Sequence, residues 1–134
     1  MNSDPLLISG KYWKISLNRY ETKARIGAYQ HERLLPQRLR LNVSVYVEKG
    51  AAPVSELSEV FNYDRVIEAI EAVVQEGHID LQETLLERTA ERLLKYPDVA
   101  AVQIGSEKPD AYSKAESIGV EAFFSKDKER IKTE

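Results

Sequence analysis

The stretch "RLRLNVSVYVE", residues 38–48, constrains the fold more than any other part of this 134-residue chain. Leucine or valine occupies every second position from Leu39 to Val47, and most positions between them are polar. Because alternate side chains of a β-strand point to opposite faces of the sheet, this pattern predicts a strand with one buried face. Such strands are typical of antiparallel sheets, which commonly bury only one side.

Three further strands and two helices complete the predicted fold. A weaker strand-like stretch covers residues 14–29, helices are expected at about 62–77 and 82–96, and strands at 100–108 and 117–124. We expect Asn62 to cap the first helix, and Gly77 and Pro97 to end the two helices. The segment "QHERLLPQ" is the expected loop of a long hairpin, because Pro36 disfavours strand pairing. The order ββααββ predicts an α+β fold, a four-stranded antiparallel sheet with two helices on one face.

The second face of this sheet and the sheet edges allow a prediction about assembly. The second face offers Tyr46 and charged residues, and edge strands left unpaired invite pairing with other chains. Closure of several subunits' sheets into a shared barrel is one arrangement that the pattern permits. We expect a single domain over residues 1–134, with a core at about 14–125 and a charged, frayed tail at 126–134.

Composition excludes several classes of function. The formal net charge is −3, whereas domains that bind nucleic acid by neutralising phosphates are usually basic. The chain has no cysteine, which rules out disulfides, thiolate zinc sites and a cysteine nucleophile. No apolar run approaches the ~18 residues of a membrane helix, and the N-terminus lacks the pattern of a secretory signal. We therefore expect a cytoplasmic protein with neither a nucleic-acid nor a membrane partner, and this composition leaves a small neutral or polar ligand open.

The first candidate site residues are His31 and Glu32 in the predicted hairpin loop. The other histidine, His78, lies in the expected turn between the helices, and neither histidine belongs to an HxxxH or HxH pattern. A zinc ion usually takes three protein ligands whose spacing directs them to one point, so a metal site is disfavoured. A solvated loop explains this pair without any function.

Three other residues are candidates on pattern alone. Tyr63 falls on the apolar side of the first turn of its helix, as core or rim tyrosines do. Glu87 follows Leu86 at the border of the packed side of the second helix, where it either reaches water or accepts from a cationic or amidine-like ligand. Lys108 shares strand parity with Val102 and so starts from the apolar face, which is unusual for a lysine that ends a strand. These residues supply candidates but no reaction.

Six segments of the chain occur together in one known family. They are "RIGAYQHER", "PQRLRLNV", "FNYDRV", "LLERTAERL", "KPDA" and "SIGVEAFF", and they cover about residues 15–124. In this order and spacing they resemble dihydroneopterin aldolase. The resemblance implies the tunnelling fold, whose ββααββ order agrees with the pattern above. It also implies an aldehyde-lyase of folate biosynthesis that cleaves 7,8-dihydroneopterin by a retro-aldol reaction, without cofactor, metal or Schiff base.

The resemblance assigns a role to each candidate. Glu87 matches the glutamate that anchors the amino-pyrimidinone edge of the pterin, and Leu86 beside it is expected to contact the substrate. Lys108 matches the lysine that moves a proton through an ordered water. Tyr63 matches the tyrosine that helps to protonate the enamine intermediate. Glu32 matches the loop glutamate that contacts the substrate side chain and its water.

The resemblance further implies a homo-oligomer, either a tetrameric ring or an octamer of two stacked rings. Tyr63 is then expected to come from the subunit adjacent to the one that supplies the other site residues. Two other functions stay open. One is a 2′-epimerase of dihydroneopterin triphosphate, an activity that basic residues near the loop, Arg25, Arg33 and Arg38, would suit. The other is a pterin-binding paralogue without catalysis.

Overall fold

The chain folds into one antiparallel sheet with helices packed against it, and the computed structural model describes residues 4–50, 54–56 and 60–126. In chain order the elements are helix α1 (Pro5–Ile8), strand β1 (Tyr12–Ala24), a 3-10 turn (Gln30–Arg33), strand β2 (Gln37–Glu48), helices α2 (Asp64–Val74) and α3 (Gln82–Leu94), and strands β3 (Val99–Lys108) and β4 (Ile118–Ser125). The sheet order is β1–β2–β3–β4, with every neighbouring pair antiparallel. The predicted α+β class and element order are confirmed, and α1 is an addition to them. Of the predicted tail, all but Lys126 lies outside the described residues.

The inward face of β2 forms the centre of the core. Its alternating leucines and valines, from Leu39 to Val47, are all between 0 and 4% exposed. They share one apolar cluster with the buried side of α2, including Ile70, and with that of α3, including Leu93. The period-two pattern therefore fixed which face of the strand the helices cover. No helix in the described ranges is long and apolar enough to cross a membrane.

The second face of the sheet is partly covered, which the sequence pattern did not predict. Tyr46 is only 1% exposed and packs with Tyr12, Ala101 and Leu6. Its hydroxyl donates a hydrogen bond to Asp4, which also caps α1. Helix α1 has only four residues, too few for a periodic signal, so burial of Tyr46 by this helix was not predictable from the sequence.

The predicted end of the first strand is wrong for a local reason. Strand β1 ends at Ala24, five residues before the predicted end at Tyr29, because Ile26 pairs in parallel with Ile79, outside the sheet. The chain then turns at Gly27, whose φ of 137° is open to glycine and strained for other residues.

The side chain of Asn62 caps the start of α2, as predicted. It accepts a hydrogen bond from the Asp64 N–H at 3.0 Å. Tyr63, between these two residues, has helical backbone angles, and its side chain makes no capping hydrogen bond. The Tyr63 side chain is 67% exposed, so it lies at the exposed end of the helix and not on the apolar side where the pattern placed it.

Candidate active site

A cleft of about 1060 Å³ opens where β2 begins and β3 ends. Its walls come from the loop between β1 and β2, the start of α3, the loop after β3 and the start of β4. The side chains with hydrogen-bonding or ionisable groups along it are Tyr29, His31, Glu32, Gln37, Asp80, Gln82, Glu83, Lys108, Asp110 and Tyr112. A cleft of this size, with a few convergent polar groups, is typical of a small-molecule site.

The strongest interaction in the cleft joins Glu32 to Lys108. The Glu32 Oε2 and Lys108 Nζ atoms lie 2.8 Å apart, and the two side chains are only 11% and 12% exposed. Lys108 is the last residue of β3 and starts from the apolar face of the sheet, as its parity predicted. The structure therefore brings together two of the predicted site residues, a loop carboxylate and a strand-end amine, at one point of the cleft.

Three donors hold the Glu32 carboxylate in place. Besides Lys108, the Gln37 side chain donates to Oε2 at 3.1 Å and the Tyr29 N–H donates to Oε1 at 3.2 Å. Burial by itself would raise the pKa of Glu32, but hydrogen bonds from Lys108, Gln37 and Tyr29 outweigh it and lower the pKa to about 2. Glu32 is therefore ionised at neutral pH, where it accepts hydrogen bonds and has no proton to give.

We expect this lowered pKa to be visible in the pH dependence of stability. The folded pKa of about 2 lies below the ordinary value of 4.5. The ionised carboxylate therefore stabilises the fold above pH 4.5, and this contribution is lost as the pH falls towards 2. Calorimetry should show that wild type has a higher Tm than Glu32→Gln at neutral pH, with a difference that shrinks between pH 4.5 and 2. A Tm difference that is constant over this range would contradict the assignment.

Gly27 makes room for the Glu32 side chain. A Cβ atom at Gly27 would lie 2.2 Å from Glu32 Cδ and 2.4 Å from Oε1. The glycine backbone is held by two partners, because its N–H donates to Ile79 at 2.9 Å and its carbonyl oxygen lies 2.8 Å from His78 Nε2. Neither the carboxylate nor the turn has space to shift without losing these contacts.

Gly27→Ala should therefore displace Glu32 and lower stability. Gly77→Ala is the matched control, because Gly77 also has a positive φ, 125°, but has nothing within 4 Å of the Cβ position. Both variants carry the backbone strain of alanine at positive φ, roughly 1–3 kcal/mol. Chemical denaturation should show a larger loss for Gly27→Ala, with weakened turnover as well. Equal losses in the two variants would show that the contact with Glu32 is unimportant.

The start of α3 forms another part of the cleft wall. Gln82 is 7% exposed, accepts a hydrogen bond from the Ser106 hydroxyl at 2.6 Å and donates to the Ile118 carbonyl at 3.4 Å. These contacts fix the helix end against β3 and β4. The next residue, Glu83, is exposed and lines the cleft. Its carboxylate lies in the first turn, where the positive end of the helix dipole favours negative charge.

Within one chain, the two predicted binding residues on α3 do not line the cleft. Leu86 is 1% exposed and packs in the core, so its side chain does not line the cleft. Glu87 is exposed but does not line the cleft. Glu83 is the last residue of this helix that lines it. The two glutamates share a helix face, and Glu87 lies one turn, about 6 Å, farther from the cleft. Sequence reasoning missed Glu83, although its place in the first turn of a predicted helix was a usable signal.

Tyr63 lies apart from the cleft within one chain. It is 67% exposed and lines a second groove, of about 330 Å³, with Trp13, Val47 and Phe61 among its neighbours. This groove lies at the far end of β2, and a 12-residue strand spans about 36 Å at roughly 3.3 Å per residue. A single chain therefore brings Glu32 and Lys108 together without Tyr63.

Comparison with known proteins agrees with the fold. The family model described as FolB, dihydroneopterin aldolase, matches residues 15–123. A dihydroneopterin aldolase from Streptomyces coelicolor is 29% identical over 99 residues, which cover 73% of this chain and 83% of that protein.

Solved structures show the same relationship. A dihydroneopterin aldolase from Burkholderia thailendensis, bound to guanine, is 35% identical with a TM-score of 0.80, covering 92% of this chain and 98% of that chain. The E. coli dihydroneopterin aldolase in complex with neopterin shares the fold, with a TM-score of 0.74 at 23% identity, covering 83% of this chain and 97% of that chain. Because the family model spans most of its length, the chain belongs to the dihydroneopterin aldolase family.

Proposed function

We propose that the chain cleaves 7,8-dihydroneopterin by a retro-aldol reaction into 6-hydroxymethyl-7,8-dihydropterin and glycolaldehyde. The observation that carries this proposal is the partly buried Glu32–Lys108 pair in a cleft that also contains Glu83. The relative from Burkholderia thailendensis binds guanine. Guanine and pterins carry the same 2-amino-4-oxopyrimidine edge, so a site that accepts one ring suits the other.

Glu83 is the residue we assign to that edge of the ring, in place of Glu87. The edge offers two adjacent N–H donors, and a carboxylate can accept both in a bidentate, charge-assisted manner. Glu83 lines the same cleft as the Glu32–Lys108 pair, so we propose that a ring held by Glu83 directs its C6 side chain towards Lys108.

Lys108 is the residue we assign to proton transfer. Removal of the proton from the C2′ hydroxyl lets the C1′–C2′ bond break, which releases glycolaldehyde. The electron pair of that bond is delocalised into the C6=N5 imine of the substrate, and protonation at C1′ completes the product. Because the substrate itself carries the imine, neither a Schiff base nor a metal is needed. The Lys108 amino group, 2.8 Å from Glu32, is the group we assign to removal of the C2′ hydroxyl proton through an ordered water.

Glu32 then has two tasks, to position Lys108 and to contact the substrate side chain with its water. Its ionised state, with a pKa lowered to about 2 by its hydrogen bonds despite burial, suits an acceptor. We assign protonation of the enamine intermediate to Tyr63 of a neighbouring subunit, because Tyr63 and the cleft lie at opposite ends of β2 in one chain.

A shared site requires a homo-oligomer, for which we propose a tetrameric ring or a stacked octamer whose sheets join into a barrel. Two features support this assembly. Strands β1 and β4 are the edges of the described sheet, and edge strands offer unpaired backbone groups. The cleft is also bordered by apolar side chains that are at least half exposed, Tyr29, Leu35, Leu81 and Tyr112. We further propose a cytoplasmic location.

Product analysis tests the proposed function against its alternatives. Purified protein is incubated with 7,8-dihydroneopterin and, separately, with its triphosphate, and the products are resolved by chiral chromatography. We expect glycolaldehyde and the hydroxymethyl product in equal amounts, with the 2′-epimer as a minor product. Epimer from the triphosphate alone would instead establish an epimerase, and tight pterin binding without product would establish a non-catalytic protein.

Two of the three arginines that would suit a triphosphate, Arg33 and Arg38, already have carboxylate partners. Arg33 lies 2.5 Å from Asp80, and Arg38 makes a two-point contact with Asp110 at 2.8 and 3.1 Å. Both guanidinium groups are therefore neutralised by carboxylates at the border of the cleft. A triphosphate would have to displace these partners to gain the same attraction.

A further inference from the structure

Gln37 connects the Glu32 carboxylate to the protein backbone. It is the first residue of β2, is half-buried and lines the cleft. Its side-chain Nε2 lies 2.6 Å from the Ile26 carbonyl oxygen and 3.1 Å from Glu32 Oε2. One amide group thus uses both of its N–H bonds on two acceptors, one of which belongs to the proposed active site.

The chemistry of these partners requires an amide at this position. A carbonyl oxygen and an ionised carboxylate only accept hydrogen bonds, so the side chain between them must donate twice. Leucine would have a similar size but no donor. Glutamate would have the same shape but would present oxygen to two oxygens.

We infer that Gln37 is a positioning residue, one that keeps Glu32 ionised and directed at Lys108; this inference rests on the proposed function of the Glu32–Lys108 pair. Gln37 and Lys108 both donate to Oε2, and the Tyr29 N–H donates to Oε1. Loss of the Gln37 donor leaves two donors to offset burial of the carboxylate. Glu32 then takes up a proton at a higher pH and is released from its fixed orientation.

Several other charged or titratable groups share the cleft with this carboxylate. Besides Lys108, the cleft contains Asp80, Glu83, Asp110 and His31. In the described residues, the hydrogen bonds of the Glu32 carboxylate are with Lys108, Gln37 and Tyr29. A change in its titration on replacement of Gln37 therefore reports the lost hydrogen bond, provided that the Lys108 contact is retained.

The titration of Glu32 tests the inference without any enzyme assay. We expect carboxyl ¹³C NMR of wild type to give a Glu32 pKa of about 2, as its buried but hydrogen-bonded state implies. In Gln37→Leu the midpoint should rise by about one pH unit, because a hydrogen bond to a charged group is lost. Gln75→Leu is the control, since Gln75 is an exposed glutamine at the end of α2. An unchanged midpoint in folded Gln37→Leu would overturn the inference.

A second variant, Gln37→Glu, gives an independent result from activity. The introduced carboxyl faces Glu32 and the Ile26 carbonyl, and it donates one hydrogen bond, to one of these two acceptors, only while it is protonated. We expect kcat at pH 8 to fall roughly tenfold or more and to recover towards the wild-type value as the pH is lowered towards 5. A pH profile parallel to that of wild type would overturn the inference. If wild type itself cleaves no dihydroneopterin, the proposed function fails, and the NMR titration still decides whether Gln37 sets the charge state of Glu32.

Discussion

Lys108→Met should lower kcat by about 10²–10⁴-fold, the range that positioned acid–base groups contribute, and should leave pterin affinity within a few-fold of wild type. Methionine has a similar length but no amino group, so the 2.8 Å contact with Glu32 is lost together with proton transfer. The proposed contact between the pterin ring and Glu83 is unchanged in this variant. Steady-state kinetics and product binding by calorimetry measure the two quantities separately.

Lys114→Met is the matched control for this variant. Lys114 is exposed in the loop between β3 and β4 and does not line the cleft. We expect its kcat and affinity to equal those of wild type. A Lys108→Met enzyme with kcat within twofold of wild type would remove Lys108 from the proposed mechanism.

Glu83→Gln should weaken pterin binding more than it slows turnover, which is the reverse of the result expected for Lys108→Met. Its carboxylate is proposed to accept two N–H bonds from the ring edge, and an amide can accept only one while it places a donor against the other. We expect the Kd for 6-hydroxymethyl-7,8-dihydropterin to rise roughly 100-fold, because charge-assisted bonds are about twice as strong as neutral ones. KM for dihydroneopterin should rise more than kcat falls.

Glu87→Gln is a stringent control, because it makes the same chemical change one helical turn away. Glu87 is exposed, and the cleft ends at Glu83 on this helix. We expect its Kd and KM to equal those of wild type. Loss of pterin binding in Glu87→Gln but not in Glu83→Gln would reverse the assignment and restore the prediction made from the sequence.

Features that depend on local periodicity were predictable from the sequence. The alternation in β2 identified the core face, since burial of Leu39 and its period-two neighbours is a property of a single strand. The position of Lys108 in the alternation of β3 likewise predicted that its side chain begins on the apolar face of the sheet. That side chain is 12% exposed. The family resemblance added the importance of Glu32, which no local pattern in its loop indicated.

Features that depend on how one element is placed against another in the fold were not predictable from the sequence. Glu83 and Glu87 lie on the same face of α3, so helical periodicity does not distinguish them. Only the contacts of Gln82 with Ser106 and Ile118 place the first turn, and not the second, at the cleft. Burial of Tyr46 likewise depends on the four-residue helix α1, which no periodic signal reveals.

The crystal structure of the assembled protein with bound 6-hydroxymethylpterin tests the account most directly. It should show the ring in the cleft, with the Glu83 carboxylate about 2.7–2.9 Å from the two N–H groups of the ring edge. The hydroxymethyl group should lie within one water molecule of Lys108 Nζ. A ring bound elsewhere, with Glu83 and the Glu32–Lys108 pair both facing empty solvent, would contradict the account.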